Sequence, residues 1–142
     1  MMLCFVGLLI IHSFTMNFRH PRLVITLRVL FGLFILMSGV TGMMAGAEMN
    51  GVPAPIIPAS QDLYALGIFQ MIKITEIVAG LMLVTGFLPA LAAIFIAPIA
   101  VGILVFNGNV APAYVITGLV VCAFEAYFGY AYWDKYKALF QR

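Results

Sequence analysis

Residues 64–87, YALGIFQMIKITEIVAGLMLVTGF, restrict the fold more than any other stretch. As one helix they would reach about 36 Å, enough to cross a hydrocarbon core of ~30 Å, yet Gln70, Lys73 and Glu76 lie inside them. At about 100° per residue these three side chains fall on an arc of about 120°, which Asp62, Leu66 and Gly80 share. One face is therefore polar or small, and the rest is Ile, Leu, Met, Val and Phe. An ionised group facing lipid costs at least ~2.5–3.5 kcal/mol, so the polar face is expected to turn toward other protein. The remaining chain must supply its partners.

Composition decides between a lipid and a water environment. Hydrophobic residues make up 65% of the 142-residue chain and charged residues 8%, against about 25% charged in a soluble domain. Mean hydropathy is +1.15. The expectation is an all-α integral membrane protein, a four-helix bundle, since this length accommodates about four spans of ~20–25 residues. The formal charge is only +2 and no long basic run occurs, so nucleic acid is not an expected partner. Cys4 and Cys122 belong to no CxxC pair, which argues against a disulfide framework or thiol relay.

The N-terminal apolar segment, residues 1–18, is too short to span: its run from Leu3 to Ile11 covers about 14 Å before His12. It is expected to be an interfacial helix or an over-extended start with initiation at Met16. Residues 19–142 then form the transmembrane domain. Arg19, His20 and Arg22 are a basic cluster, and Pro21 suits a helix start. Along the first span, residues 23–44, Arg28, Gly32, Ile35, Gly39, Gly42 and Gly46 share an arc of about 80°, a seam for close helix approach. Arg28 either enters that seam or snorkels to the interface.

Residues 45–61 carry Pro53, Pro55 and Pro58 and are expected to be an extended loop, with residues 52–58 a cap over the bundle. Residues 64–87 form the second span. Leu88-Pro89 turns it directly into the third, residues 90–106, giving an antiparallel hairpin whose second arm contains Pro98. Asn107-Gly108-Asn109 signals a turn, and Pro112 opens a fourth span ending near Trp133. On that span Gly118, Cys122, Glu125 and Gly129 share an arc of about 60°. Tyr127, Tyr130, Tyr132, Trp133 and Tyr136 form an expected interfacial belt.

Arg19, Arg22, Lys135, Lys137 and Arg142 flank one side of such a bundle, while the two connections on the other side contain no Lys or Arg. The excess of Lys and Arg on cytoplasmic segments then places both termini in the cytoplasm. In that topology Glu76 and Glu125 sit near the midplane, Arg28 in the inner leaflet, and Lys73 about 4.5 Å outward of Glu76. Two cations and two anions can neutralise one another, and two roles follow. Either the pairs only fix helix register, or Arg28, Gln70, Lys73, Glu76 and Glu125 line a polar pocket opening toward the cytoplasmic half. Such a pocket could hold an anionic or quinone-like headgroup or pass protons.

RVLFGLFILMSG, residues 28–39, resembles the first helix of the DoxX family of small four-helix bacterial membrane proteins, in which an Arg precedes a Gly-rich Phe/Leu segment. KITEIVAGLMLVTGFLPALAAIFIAPI, residues 73–99, resembles that family's second and third helices, with Glu76, Gly80 and Gly86 at matching positions. The resemblance covers about residues 22–133. Gly42 stands where such proteins often carry Lys, and Leu88-Pro89 where a basic residue often follows the second helix, so no contact made there transfers. The resemblance implies a bacterial inner-membrane subunit or binding module supporting quinone-linked redox chemistry with a soluble partner, and not a stand-alone enzyme. A quinone is the cofactor it admits, and a homo-oligomer is compatible with it. The alternatives are a small solute or proton carrier and a structural assembly protein. His12 and His20 lie outside the spans and no metal-ligand cluster is apparent, so no metal is expected.

Overall fold

The computed structural model describes residues 20–137, and all regular structure among them is helical. In chain order the elements are α1 (Pro21–Ala45), a 3-10 turn (Ala54–Ile56), α2 (Ile57–Ala65), α3 (Ile68–Thr85) and α4 (Pro89–Val110). A second 3-10 turn (Pro112–Tyr114), α5 (Val115–Ala131) and the short α6 (Trp133–Lys137) follow. Four segments are long and apolar enough to cross a membrane: Pro21–Ala45, Ile68–Thr85, Pro89–Val110 and Pro112–Ala131. The N-terminal apolar segment, Arg19 and Arg142 lie outside the described residues.

Small residues set the helix pairing. α1 and α3 run antiparallel: Gly32 faces Leu83 and Val84, Gly39 faces Ile77, and Gly42 faces Lys73. A Cβ at Gly80 would come within 2.8 Å of the Leu36 backbone, so only glycine allows this approach. α4 and α5 are likewise antiparallel, with Gly118 against the Leu104 backbone and the Asn107 amide donating to the Tyr114 carbonyl at 3.1 Å. Phe31, Leu83, Ile96 and Phe128, one from each long helix, meet in a single core. Phe31 stacks on Phe124 at 4.9 Å between ring centroids, which joins α1 to α5. Large apolar side chains such as Leu30, Met37, Val101 and Ile116 point outward and are more than half exposed.

The start of α1, the end of α3, the start of α4 and the end of α5 lie together at what we call the terminal end. The segment between α1 and α3 lies at the loop end. Gly86, at φ +79°, and Leu88 make the tight α3–α4 turn, as the Leu88-Pro89 signal predicts.

Four expectations are corrected. Residues 64–87 are not one helix: Gly67 adopts φ +75°, its N–H caps α2 through the Tyr64 carbonyl, and its own carbonyl accepts from Met71 to start α3. Asp62 and Leu66 therefore do not share a helix with Lys73. Residues 45–61 are not a wholly extended loop, because Pro58 occupies the first turn of α2, where a proline lacks nothing the helix needs. Asn107-Gly108-Asn109 stays inside α4; the two Asn side chains bond the Tyr114 and Val105 carbonyls, so they support the helix end instead of breaking it. Gly46, at φ +61°, ends α1 and is not part of its seam.

Candidate functional site

Lys73 and Glu76 lie one turn apart on α3, with the ammonium Nζ 3.1 Å from Oε1 and 2.9 Å from Oε2 of the carboxylate. Ser38 of α1 completes the group. Its hydroxyl donates to Glu76 Oε2 at 2.9 Å and accepts from Lys73 at a longer 3.4 Å. Gly42 makes room for the lysine stem, which crosses the face where a side chain on α1 would stand. The Lys73 ammonium also lies 5.4 Å from the centre of the Phe69 ring, a favourable cation–π contact. The Glu76 side chain is 1% exposed and that of Lys73 15%, so the more accessible partner is the cation.

These polar groups form part of the wall of a cavity of about 660 Å³ at the loop end. Phe34, Ile72, Ile99 and Ile103 supply apolar walls, and Pro98 lines it from within α4. Val52, Pro53 and Ile56 fold over it, so residues 52–58 do cap the helices. The cavity therefore lies toward the loop end and not toward the terminal end, the side on which the sequence reading placed the pocket. The reason is the antiparallel seam: Gly39 and Gly42, in the second half of α1, are the residues that face Lys73 and Ile77.

The other candidates separate from this group. Gln70 lines neither main cavity, and its Oε1 is buried without a hydrogen-bond partner. Arg28 reaches the terminal end, where its guanidinium nitrogens would be 2.8 Å from a Cβ at Gly86. Gly86 caps α3, so Arg28 sits where the negative end of that helix dipole favours a cation. Burial raises the Tyr132 hydroxyl, and the Arg28 guanidinium beside it offsets part of that rise. Arg28 thus both lies along the seam and reaches toward the helix end.

Glu125 lines a second, lateral cavity of about 490 Å³ between α4 and α5, and Oε1 is buried without a hydrogen-bond partner. The four charges do not converge into the expected neutral cluster. The nearby Tyr136 hydroxyl donates instead to the Ala90 carbonyl at 2.9 Å. Burial first, then Glu125 and Tyr132, push that hydroxyl up to about 12. The aromatic belt is accordingly divided: Trp133 and Tyr130 are more than half exposed, whereas Tyr132 stacks on Phe128 at 6.0 Å and Tyr136 ties α6 to α4.

Ser38, Thr41, Asn50 and Ser60 are cavity residues absent from the sequence-level candidates. Ser38 had a signal, since it stands four residues before Gly42, beside the glycine seam. Ser60 had none, because its burial depends on the unforeseen α2. Set against known protein families, curated proteins and solved structures, the chain matches none of them.

Proposed function

We propose that this chain is a multi-pass four-helix membrane protein of the DoxX type. In this reading it lies in a bacterial inner membrane with both termini cytoplasmic. It acts there as a binding module for a quinone-like molecule in redox chemistry completed by a soluble partner. The observation that carries the reading is the Lys73–Glu76–Ser38 group set in the wall of an otherwise largely apolar cavity. Outward-facing apolar side chains on all four long helices support the lipid environment.

The chemistry of the donor set suits a quinone. Lys73 has three N–H donors, and its weakest contact, the 3.4 Å bond to Ser38, is the one a ligand carbonyl can replace. Glu76 neutralises the pair and keeps the ammonium in place, so an uncharged acceptor is better matched than an anion. The apolar walls hold a ring and exclude water. A bound quinone supplies two-electron, two-proton chemistry, while the residues here bind and orient it.

Titration of the detergent-purified chain with a decyl-substituted benzoquinone tests this. The wild type binds, and Lys73→Met/Glu76→Leu, which removes the polar wall without leaving a lone charge, binds at least about tenfold more weakly, or ~1.4 kcal/mol. Equal binding by both proteins, or none by the wild type, refutes the reading.

A further inference from the structure

The second cavity shares no lining residue with the first, and where the first carries a paired Lys73 and Glu76 it carries a single carboxyl. α4 contributes only apolar side chains to it, among them Ala93 and Ala97. α5 contributes Glu125 and Gly129, and α6 adds Trp133 and Tyr136. Glu125 is the one acidic residue of this wall, and Oε1 is buried with no hydrogen-bond partner.

Among the described residues nothing nearby meets that need. Among the described residues, Glu125 appears in neither of the ion pairs, which join Lys73 to Glu76 and Lys137 to Asp134. Arg28 lies instead beside Gly86 and Tyr132 and pairs with no carboxylate among the described residues. The Tyr136 hydroxyl hydrogen is committed to the Ala90 carbonyl. A carboxyl withdrawn from water is costly in its ionised form unless a counter-charge accompanies it, so a cation that displaces the carboxyl proton to solvent is the partner that would let this group ionise in place. A small hydrated cation would find, beyond Glu125, only the Tyr136 hydroxyl as a side-chain oxygen among the lining residues, too few to replace its shell. An organic cation carries its own apolar shell, which the alanine wall accommodates, and the faces of Trp133 and Tyr136 favour positive charge. The volume of about 490 Å³ lies within the roughly 300–1,000 Å³ usual for small-molecule sites.

We infer that the lateral cavity between α4 and α5 binds a hydrophobic organic cation, whose charge is held by the Glu125 carboxylate. This site stands independently of the quinone reading, on different residues.

Equilibrium dialysis of the full chain in a nonionic detergent, with tetraphenylphosphonium as probe and tetraphenylborate as its anionic counterpart of the same shape, provides the test. The wild type binds the phosphonium and not the borate. Glu125→Gln loses at least tenfold in affinity, and Glu125→Asp retains part of it. Gly129→Leu supplies a control for folding, because a Cβ at Gly129 meets nothing within 4 Å and the added side chain can enter the cavity without clashing. It also loses at least tenfold while Glu125 remains. Unchanged phosphonium binding by Glu125→Gln or Gly129→Leu, or borate binding as tight as phosphonium binding, overturns the inference. If Glu125→Gln fails to fold, the wild-type charge preference and the glycine variant decide it.

Discussion

At the residue scale, burial and partnership distinguish charges that look alike in the sequence. Glu76 is almost wholly buried but accepts from both Lys73 and Ser38, whereas Glu125 keeps an unmet oxygen. Removing one member of the first pair therefore strands the other. Glu76→Ala should lose about 3–5 kcal/mol, while Lys73→Met/Glu76→Leu should come close to wild-type stability, because an apolar replacement of similar volume leaves no unpaired charge. Reversible unfolding in mixed micelles measures both. A smaller loss for Glu76→Ala than for the double variant would show that the pair is not a desolvated unit. The i, i+3 relation of Lys73 and Glu76 was legible in the sequence, since helix spacing alone brings them together. The separation of Arg28 and Glu125 from them was not, because position on an arc tells which way a side chain points and not which helix it meets.

At the element scale, hydrophobic length located the four long helices within a few residues, and the glycine stripe of α1 located its seam with α3. Sequence reading failed where a breaker residue has two structural uses. Pro58 belongs equally to an extended segment and to a first helical turn, and the side-chain bonds that keep Asn107 and Asn109 inside α4 depend on neighbours. Gly67 was hidden for the opposite reason, since a lone glycine in an apolar run is usually tolerated within a helix. Here its left-handed conformation divides α2 from α3. Gly67→Ala should cost about 1–2 kcal/mol through backbone strain. Gly80→Ala should cost about 1–3 kcal/mol by forcing α1 and α3 apart, because its Cβ would meet Leu36 backbone atoms. Thermal unfolding followed by circular dichroism checks both, and wild-type stability in Gly80→Ala would contradict the close approach of these helices.

At the scale of the whole molecule, the two cavities give the ends of the helices different characters: a cavity bearing the Lys73–Glu76 pair, roofed by the α1–α3 connection, and a lateral cavity bearing Glu125 toward the terminal end. In the proposed membrane orientation the first faces outward. In a chain with Cys4 and Cys122 replaced by alanine, a membrane-impermeant thiol reagent added outside should modify Gln61→Cys and spare Lys137→Cys, both exposed positions. The reverse pattern would invert the orientation without altering the cavities. The central claim, that the Lys73–Glu76–Ser38 cavity holds a quinone, is tested most directly by photolabelling with a quinone bearing a diazirine on its ring, followed by peptide mapping. Crosslinks should fall on the cavity-lining parts of α1, α3 and α4, around Ser38, Ile72 and Ile103, and disappear in Lys73→Met/Glu76→Leu; labelling confined to the terminal end, or unchanged in that variant, would contradict the account.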